Sequence, residues 1–277
     1  MPATGSKPFT PLSLSIRLRA DGFSFFVCDV QTGTLIEGEH FSLYEEQPLA
    51  EQLLCQLARP EYFNRQIDQA YVLVCTPSTH VPLEAFQRDE ATQLYDFTFP
   101  KALTTSHRVA YTILPELESV ELFAIDRDVE EAVLQYYPTA RFFASRAMLS
   151  ERLRRYADDS YADGRQLFCC LSDGGVDVMQ FADGRLRYAN SFGEHQPSNI
   201  QYYVLNVWQM LAMSAEADTL VVVAEESYPG LKDIRHGFGL YLRNVEVVAP
   251  ASLFPNVALA RERNMPLDLK ALLLNRL

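Results

Sequence analysis

Short apolar runs, each closed within a few residues by a turn signal, dominate the chain from Leu12 onward. LSLSIRL (12–18), GFSFFVCDV (22–30) and GTLIEGEHFSL (33–43) follow one another across ADG and QTG breaks. That spacing predicts an antiparallel three-strand meander. In PLAEQLLCQLA (48–58) the apolar positions recur at helical spacing, and the run stops before Pro60. QAYVLVCTP (69–77) is a continuous apolar run closed by a proline, the pattern of a strand covered on both faces.

The same order returns later. RQLFCCLS (165–172), GVDVMQFA (175–182) and GRLRYANSFG (184–193) predict a second meander, broken at SDG and ADG. SNIQYYVLNVWQMLAMSA (198–215) predicts a long helix, with Ser198 or Asn199 as its cap. TLVVVAEE (219–226) predicts a buried strand, PGLKDIRHGFGLYL a helix, and NVEVVAP (244–250) a last strand. Leu18, Gly22 and Phe25 overlay Leu171, Gly175 and Val178 at a constant offset of 153, and Gly33 and Leu35 overlay Gly184 and Leu186 at 151. Val72, Leu73 and Val74 overlay Val221, Val222 and Val223 at 149. The drift falls in the connecting loops, and we read the pattern as a duplication.

Between the repeats, HRVAYTIL (107–114) and SVELFAID (119–126) predict a hairpin. RDVEEAVLQYY (127–137) predicts a helix, ARFFAS (140–145) a strand and RAMLSERLRRYAD (146–158) an amphipathic helix. The arginines of SERLRRYADD are expected on a solvated face. The acidic, turn-rich ADDSYADG (157–164) is the candidate linker, dividing the chain into 12–160 and 161–277. The amphipathic PLDLKALLLNRL (266–277) packs as a last helix or docks on a partner; the sequence leaves both open.

Charge removes several function classes. Twenty-four Lys and Arg against 36 Asp and Glu leave a net −12, the wrong sign for a broad nucleic-acid or anionic-membrane footprint. MPATGSKPFTPLS lacks the basic and apolar regions of a secretory signal, and no apolar stretch reaches membrane-spanning length. Five cysteines, mostly inside apolar runs and without a CxxC pair, read as reduced thiols in a cytoplasmic protein. Cys169 and Cys170 are neighbours on a strand and should point to opposite faces. His40, His80, His107, His195 and His236 show no zinc-site spacing. Trp208 with Tyr202, Tyr203 and Met210 resembles an aromatic box, but Leu205, Trp208, Leu211 and Ala212 recur at i, i+3, i+6 and i+7, which favours core packing of this helix.

Two β-β-β-α-β-α units, with an insertion in the first, resemble the actin-like ATPase superfamily, in which each half is a ribonuclease H-like subdomain. That group includes actin, the seventy-kilodalton heat-shock chaperones, sugar kinases and pilus-assembly proteins of the PilM type. More narrowly, the chain resembles a Bacteroidetes family of degenerate actin-like folds. The resemblance covers most of 12–250 and rests on layout. It implies an ATP cleft between the halves, built from three loops.

Each loop departs from the family pattern. In SIRLRADGFSFF, Arg17 stands where the family has a metal-positioning Asp, and Arg19 where it has a Gly. A guanidinium is always cationic and cannot replace that carboxylate. Arg19 also brings a Cβ where a bare backbone closes on phosphate. In Cys170-Leu171-Ser172-Asp173-Gly174-Gly175-Val176-Asp177, Cys170 replaces the leading Asp, and the glycine run shrinks to Gly174. SDGG reads equally as a hairpin turn. In LVVVAEESYPGLKDI (220–234), Pro229-Gly230 fits the adenosine motif, but Glu225 and Glu226 occupy its two glycine places. Desolvated carboxylates there would repel phosphate by several kcal/mol.

These departures predict an interaction scaffold with no cofactor, no metal and no catalytic residue, working with a protein partner. The competing expectation is an ATP-binding actin-like ATPase with divergent phosphate loops. Glu225 or Glu226 is further expected to face the cleft and pair with Arg17 or Arg19, or else both are plain exposed loop residues.

Overall fold

The computed structural model describes residues 11–44, 46–59, 66–160, 164–182, 184–254, 258–262 and 265–276. The first meander forms as β1 (Leu12–Arg19), β2 (Gly22–Asp29) and β3 (Thr34–Ser42), followed by α1 (Leu49–Leu57) and β4 (Ile67–Val74). The second forms as β9 (Gln166–Ser172), β10 (Gly175–Ala182) and β11 (Arg185–Phe192), followed by α5 (Pro197–Met210) and β12 (Thr219–Val223). A fifth strand, β8 (Arg141–Ala144) or β13 (Asn244–Val248), completes each sheet. The strand orders β3-β2-β1-β4-β8 and β11-β10-β9-β12-β13 are the same topology twice.

The duplication extends to irregularities. In the first sheet the β2–β3 register shifts between Val27 and Cys28, and in the second the β10–β11 register shifts between Gln180 and Phe181. These positions are related by the offset of 153 found in the sequence. A Cβ on Gly22 would strike the Phe41 carbonyl, and one on Gly175 would strike the Phe192 carbonyl. Both glycines let the edge strand's backbone fold closely over the hairpin. One offset changes. β1 pairs β4 through Ile16 and Val72, while β9 pairs β12 through Cys169 and Val222. Val72 therefore matches Val222 at 150, not Val221 at 149. In a strand, one residue is the difference between opposite faces.

The insertion after β4 holds β5 (Ser78–Pro82), α2 (Ala91–Thr98), β6 (His107–Leu114) and β7 (Ser119–Asp126), and its sheet runs β5-β7-β6. The hairpin 107–126 is present, and β5 adds a third strand that the sequence pattern does not announce. STHVP is short and ends in proline, which a strand tolerates only at an edge. The chain returns through α3 (Arg127–Tyr136), whose Asp126 cap accepts from the amides of Asp128 and Val129. α4 (Ser145–Ser160) starts directly after β8 and runs through the first residues of the candidate linker; 161–163 lie outside the described residues. The remaining helices are α6 (Leu231–Gly239) and α7 (Leu267–Arg276).

Alternation along β9 divides the core. Phe168 and Cys170 join the larger cluster with α4 and α7, while Leu167, Cys169 and Leu171 join a second cluster under α5 and α6. The two cysteines thus point opposite ways. Trp208 is buried in the second cluster. α7 packs against α4, with Leu269, Ala271, Leu272 and Leu273 fully buried, so the C-terminal stretch is a core helix. The α4 arginines are not a solvated face. Arg146 is buried against Glu121, Arg152 lies over the Phe254 ring, Arg154 donates to the Gly184 carbonyl, and Arg155 pairs with Glu116. They tie α4 to the inserted sheet and to the second meander.

Candidate functional site

Strand alternation places Ser13, Ser15 and Arg17 on one face of β1, opposite Leu14, Ile16 and Leu18. A cation here needs partners, because an unpaired buried charge is costly. Arg17 is 4% exposed and finds two. Its Nε donates to Asp268 Oδ2 at 2.9 Å, and Nη1 and Nη2 donate to the two Asp173 oxygens at 3.0 and 3.1 Å. The second contact is the bidentate fork that guanidinium geometry favours. Asp173 sits in the β9–β10 turn of the other meander, so the pair crosses from one half to the other. Arg19, at the end of β1, also binds Asp173 and is held in turn by Asp21 at 2.7 Å.

α7 completes the node. Asp268 accepts from Ser145 Oγ at 2.7 Å as well as from Arg17. Burial is the largest single influence on the Arg17 pKa and lowers it, but Asp268, Cys75 and Asp177 together leave the value raised. Burial, aided by Asp268, pushes the neighbouring Cys75 thiol up to about 12. Two residues further along α7, buried Lys270 reaches Glu225 Oε1 at 3.7 Å, at the end of β12. Burial depresses the Lys270 pKa, and Glu225 opposes the shift.

The three loops come together as follows. Arg17, Arg19 and Asp173 meet directly. Gly174 lies in the hairpin turn, where its amide donates to Ser172 Oγ at 3.1 Å. Cys170 occupies the position on β9 that Arg17 holds on β1, is 1% exposed, and has its thiol pKa raised by burial. Gly230 caps α6 in the left-handed region at φ +73, where its missing Cβ also spares Pro197. Glu225 faces Lys270, while Glu226 is exposed. Neither glutamate reaches the arginines: Asp173 holds them instead, because the β9–β10 turn projects toward β1 while Glu225 is drawn to α7.

Two cavities flank the node. One, of about 260 Å³, is lined by Arg17, Ser145, Arg146, Cys170, Asp177 and Asp268. The other, of about 630 Å³, is lined by Asp173, His195, Glu225, Tyr228, Pro229 and Met265. Ser172 and Leu267 line both, so the Arg17–Asp173 pair has one member in each space. Asp177 accepts from Ser191 Oγ at 2.5 Å, and burial raises its pKa despite that bond. Among the described residues no group of three or more His, Cys, Asp and Glu side chains is placed to hold a metal ion.

The sequence reading missed Asp268 and Lys270. Their signal was present as two charges inside the apolar run PLDLKALLL, but an amphipathic pattern alone gave neither charge a partner.

A family model described as a protein of unknown function, DUF3822, matches residues 9–245. The chain belongs to that family. Among solved structures, this DUF3822 chain is similar to a Bacteroides thetaiotaomicron protein with actin-like ATPase fold and unknown function. The two share 23% identity, with 98% of this chain and 99% of the other covered and a TM-score of 0.75. The DUF3822 chain has the actin-like ATPase fold. A PilM–PilN type IV pilus biogenesis complex is similar at 10% identity, 89% and 90% coverage and a TM-score of 0.49. The ethanolamine utilization protein EutJ from Carboxydothermus hydrogenoformans is similar at 12% identity, 96% and 92% coverage and a TM-score of 0.44. No curated protein sequence matches the DUF3822 chain. No described helix is long and apolar enough to cross a membrane.

Proposed function

We propose that this chain is a non-enzymatic interaction protein on a degenerate actin-like fold, with a cleft that no longer takes nucleotide. One observation carries the reading: the buried Arg17 guanidinium occupies the ground between the two phosphate-loop turns and is tied to Asp173 and Asp268. Nucleotide and metal would have to displace an ion pair whose members satisfy each other. Glu225 adds a carboxylate where the adenosine motif has glycine. The two units of this scaffold are 12–160 and 161–277. Its compartment is the bacterial cytoplasm, a reading supported by five free cysteines, three of them buried.

Thermal unfolding with and without Mg-ATP tests this. A ligand at a hundredfold over its Kd adds ~2.7 kcal/mol of stability. The expected result is no change in melting temperature as Mg-ATP is raised. A saturable rise would show that the cleft still binds nucleotide, and the ATPase reading would replace this one.

A further inference from the structure

The duplication supplies an internal control for surface chemistry, because each half covers the outer face of its sheet with an equivalent pair of helices. In the first half these are α1 and α3, which carry Glu51, Arg127, Asp128, Glu130 and Glu131. Among the described residues, neither shows an exposed large apolar side chain. In the second half they are α5 and α6, and the outcome differs. α5, PSNIQYYVLNVWQM, has no charged residue in 14 positions, although 22% of the chain is charged. Each of the other described α-helices has at least one.

The exposed face of α5 presents Tyr202, Asn206, Gln209 and Met210 at i, i+4, i+7 and i+8, a single stripe. Tyr202 is 63% exposed and Met210 62%. Leu240 and Tyr241, 67% and 65% exposed, follow α6 at the same end of the layer. The Arg243 amide donates to the Ala215 carbonyl at 2.9 Å, which fixes the 240–243 turn beside the loop that leaves α5. A large side chain covers 150–250 Å², so two-thirds of four such side chains amounts to roughly 500 Å² of apolar surface. That is at the upper end of what a monomer shows. With the interleaved amides it approaches the ~800 Å² per partner of a stable interface.

We propose that this stripe is the seat of a second copy of the chain, α5 packing on α5 across a two-fold axis. Electrostatics selects the occupant. Two copies that each carry −12 repel over most of their surfaces, and like charges placed face to face are penalised. An uncharged stripe is where such copies approach without that penalty. A partner recruited by charge would instead use the acidic surface. Depletion of charge with tyrosine and methionine present is the composition of an interface core, and a self-complementary stripe suits a two-fold contact.

Sedimentation equilibrium of the full chain tests the proposal. The expected mass is twice 31.4 kDa, and added salt, which screens the repulsion between the two acidic copies, should strengthen the dimer and not dissociate it. Tyr202→Glu with Met210→Glu, or Leu240→Lys alone as a second handle, should return the mass to one chain with native circular dichroism. Gln135→Glu on α3, the equivalent layer of the first half, should leave the dimer intact. A wild-type chain that sediments as a monomer at every concentration overturns the proposal. So does a dimer that survives both the paired glutamates and Leu240→Lys, or one that Gln135→Glu also dissociates.

Discussion

Replacing Asp268 with alanine removes the buried partner of a buried cation, and the structure sets the size of the effect. The Arg17 and Asp268 side chains are 5% and 8% exposed. Unit charges about 4 Å apart at an effective dielectric near 20 attract by about 4 kcal/mol. Removing one member of a buried pair costs about 3–5 kcal/mol, because the other charge stays behind. Ser145 also loses its acceptor. At ~2–4 °C per kcal/mol for chains of this size, Asp268→Ala should melt on the order of 10 °C below wild type. Arg17→Met paired with Asp268→Leu removes both charges and keeps the volume, so most of the loss should return. Asp173→Ala should cost far less, since its side chain is 49% exposed and water can replace it. Melting curves by circular dichroism on the three variants and wild type decide the matter. If Asp268→Ala melts within ~2 °C of wild type, or the double variant melts no higher than Asp268→Ala, the buried Arg17–Asp268 pair does not hold the fold together.

Glu225→Ala should cost at most about 1 kcal/mol, because its contact with buried Lys270 is long and its own carboxylate is half-exposed, so water can take its place, and Glu226→Ala should leave the melting temperature unchanged. A larger loss at Glu226 would contradict its exposed placement. Asp177 has its carboxyl raised above the ordinary 3.8 on folding, so the folded chain holds that proton more tightly than the unfolded chain. Its ionisation therefore lowers stability as pH rises through the window above 3.8, and the penalty vanishes below it. Asp177→Asn should melt above wild type at neutral pH, with the gap closing on acidification; a gap that widens refutes the assignment. Gly175→Ala meets the Phe192 carbonyl at φ +112 and should destabilise by about 3 kcal/mol or more, whereas Gly174→Ala, with its nearest contact at 3.6 Å, should be tolerated. Equal losses in a denaturant titration would refute that distinction.

Much of the fold is legible in the chain because it rests on local periodicity. Alternating runs broken at ADG and SDG fix two hairpins, and the offset of 153 reappears in the strand pairing down to the register shifts at Val27/Cys28 and Gln180/Phe181. Arg17, Arg19, Asp173 and Glu225 were recognisable as departures at loop positions, because a cation or carboxylate in place of glycine or aspartate changes what a loop can hold. What the sequence could not supply was who pairs with whom. Val72 could be overlaid on Val221 or Val222, since both lie in one apolar run, and only inter-strand hydrogen bonding separates them. Asp268 and Lys270 drew no role from the sequence, because helical spacing marks a stretch as amphipathic without saying what covers it. α7 packs on α4 with its charges against β1 and the end of β12, and that burial makes them partners for Arg17, 251 residues away, and for Glu225. Periodicity is written in neighbours along the chain, whereas the burial of a charge depends on residues brought up from elsewhere. The Arg17–Asp173–Asp268 node therefore belongs to the tertiary structure alone.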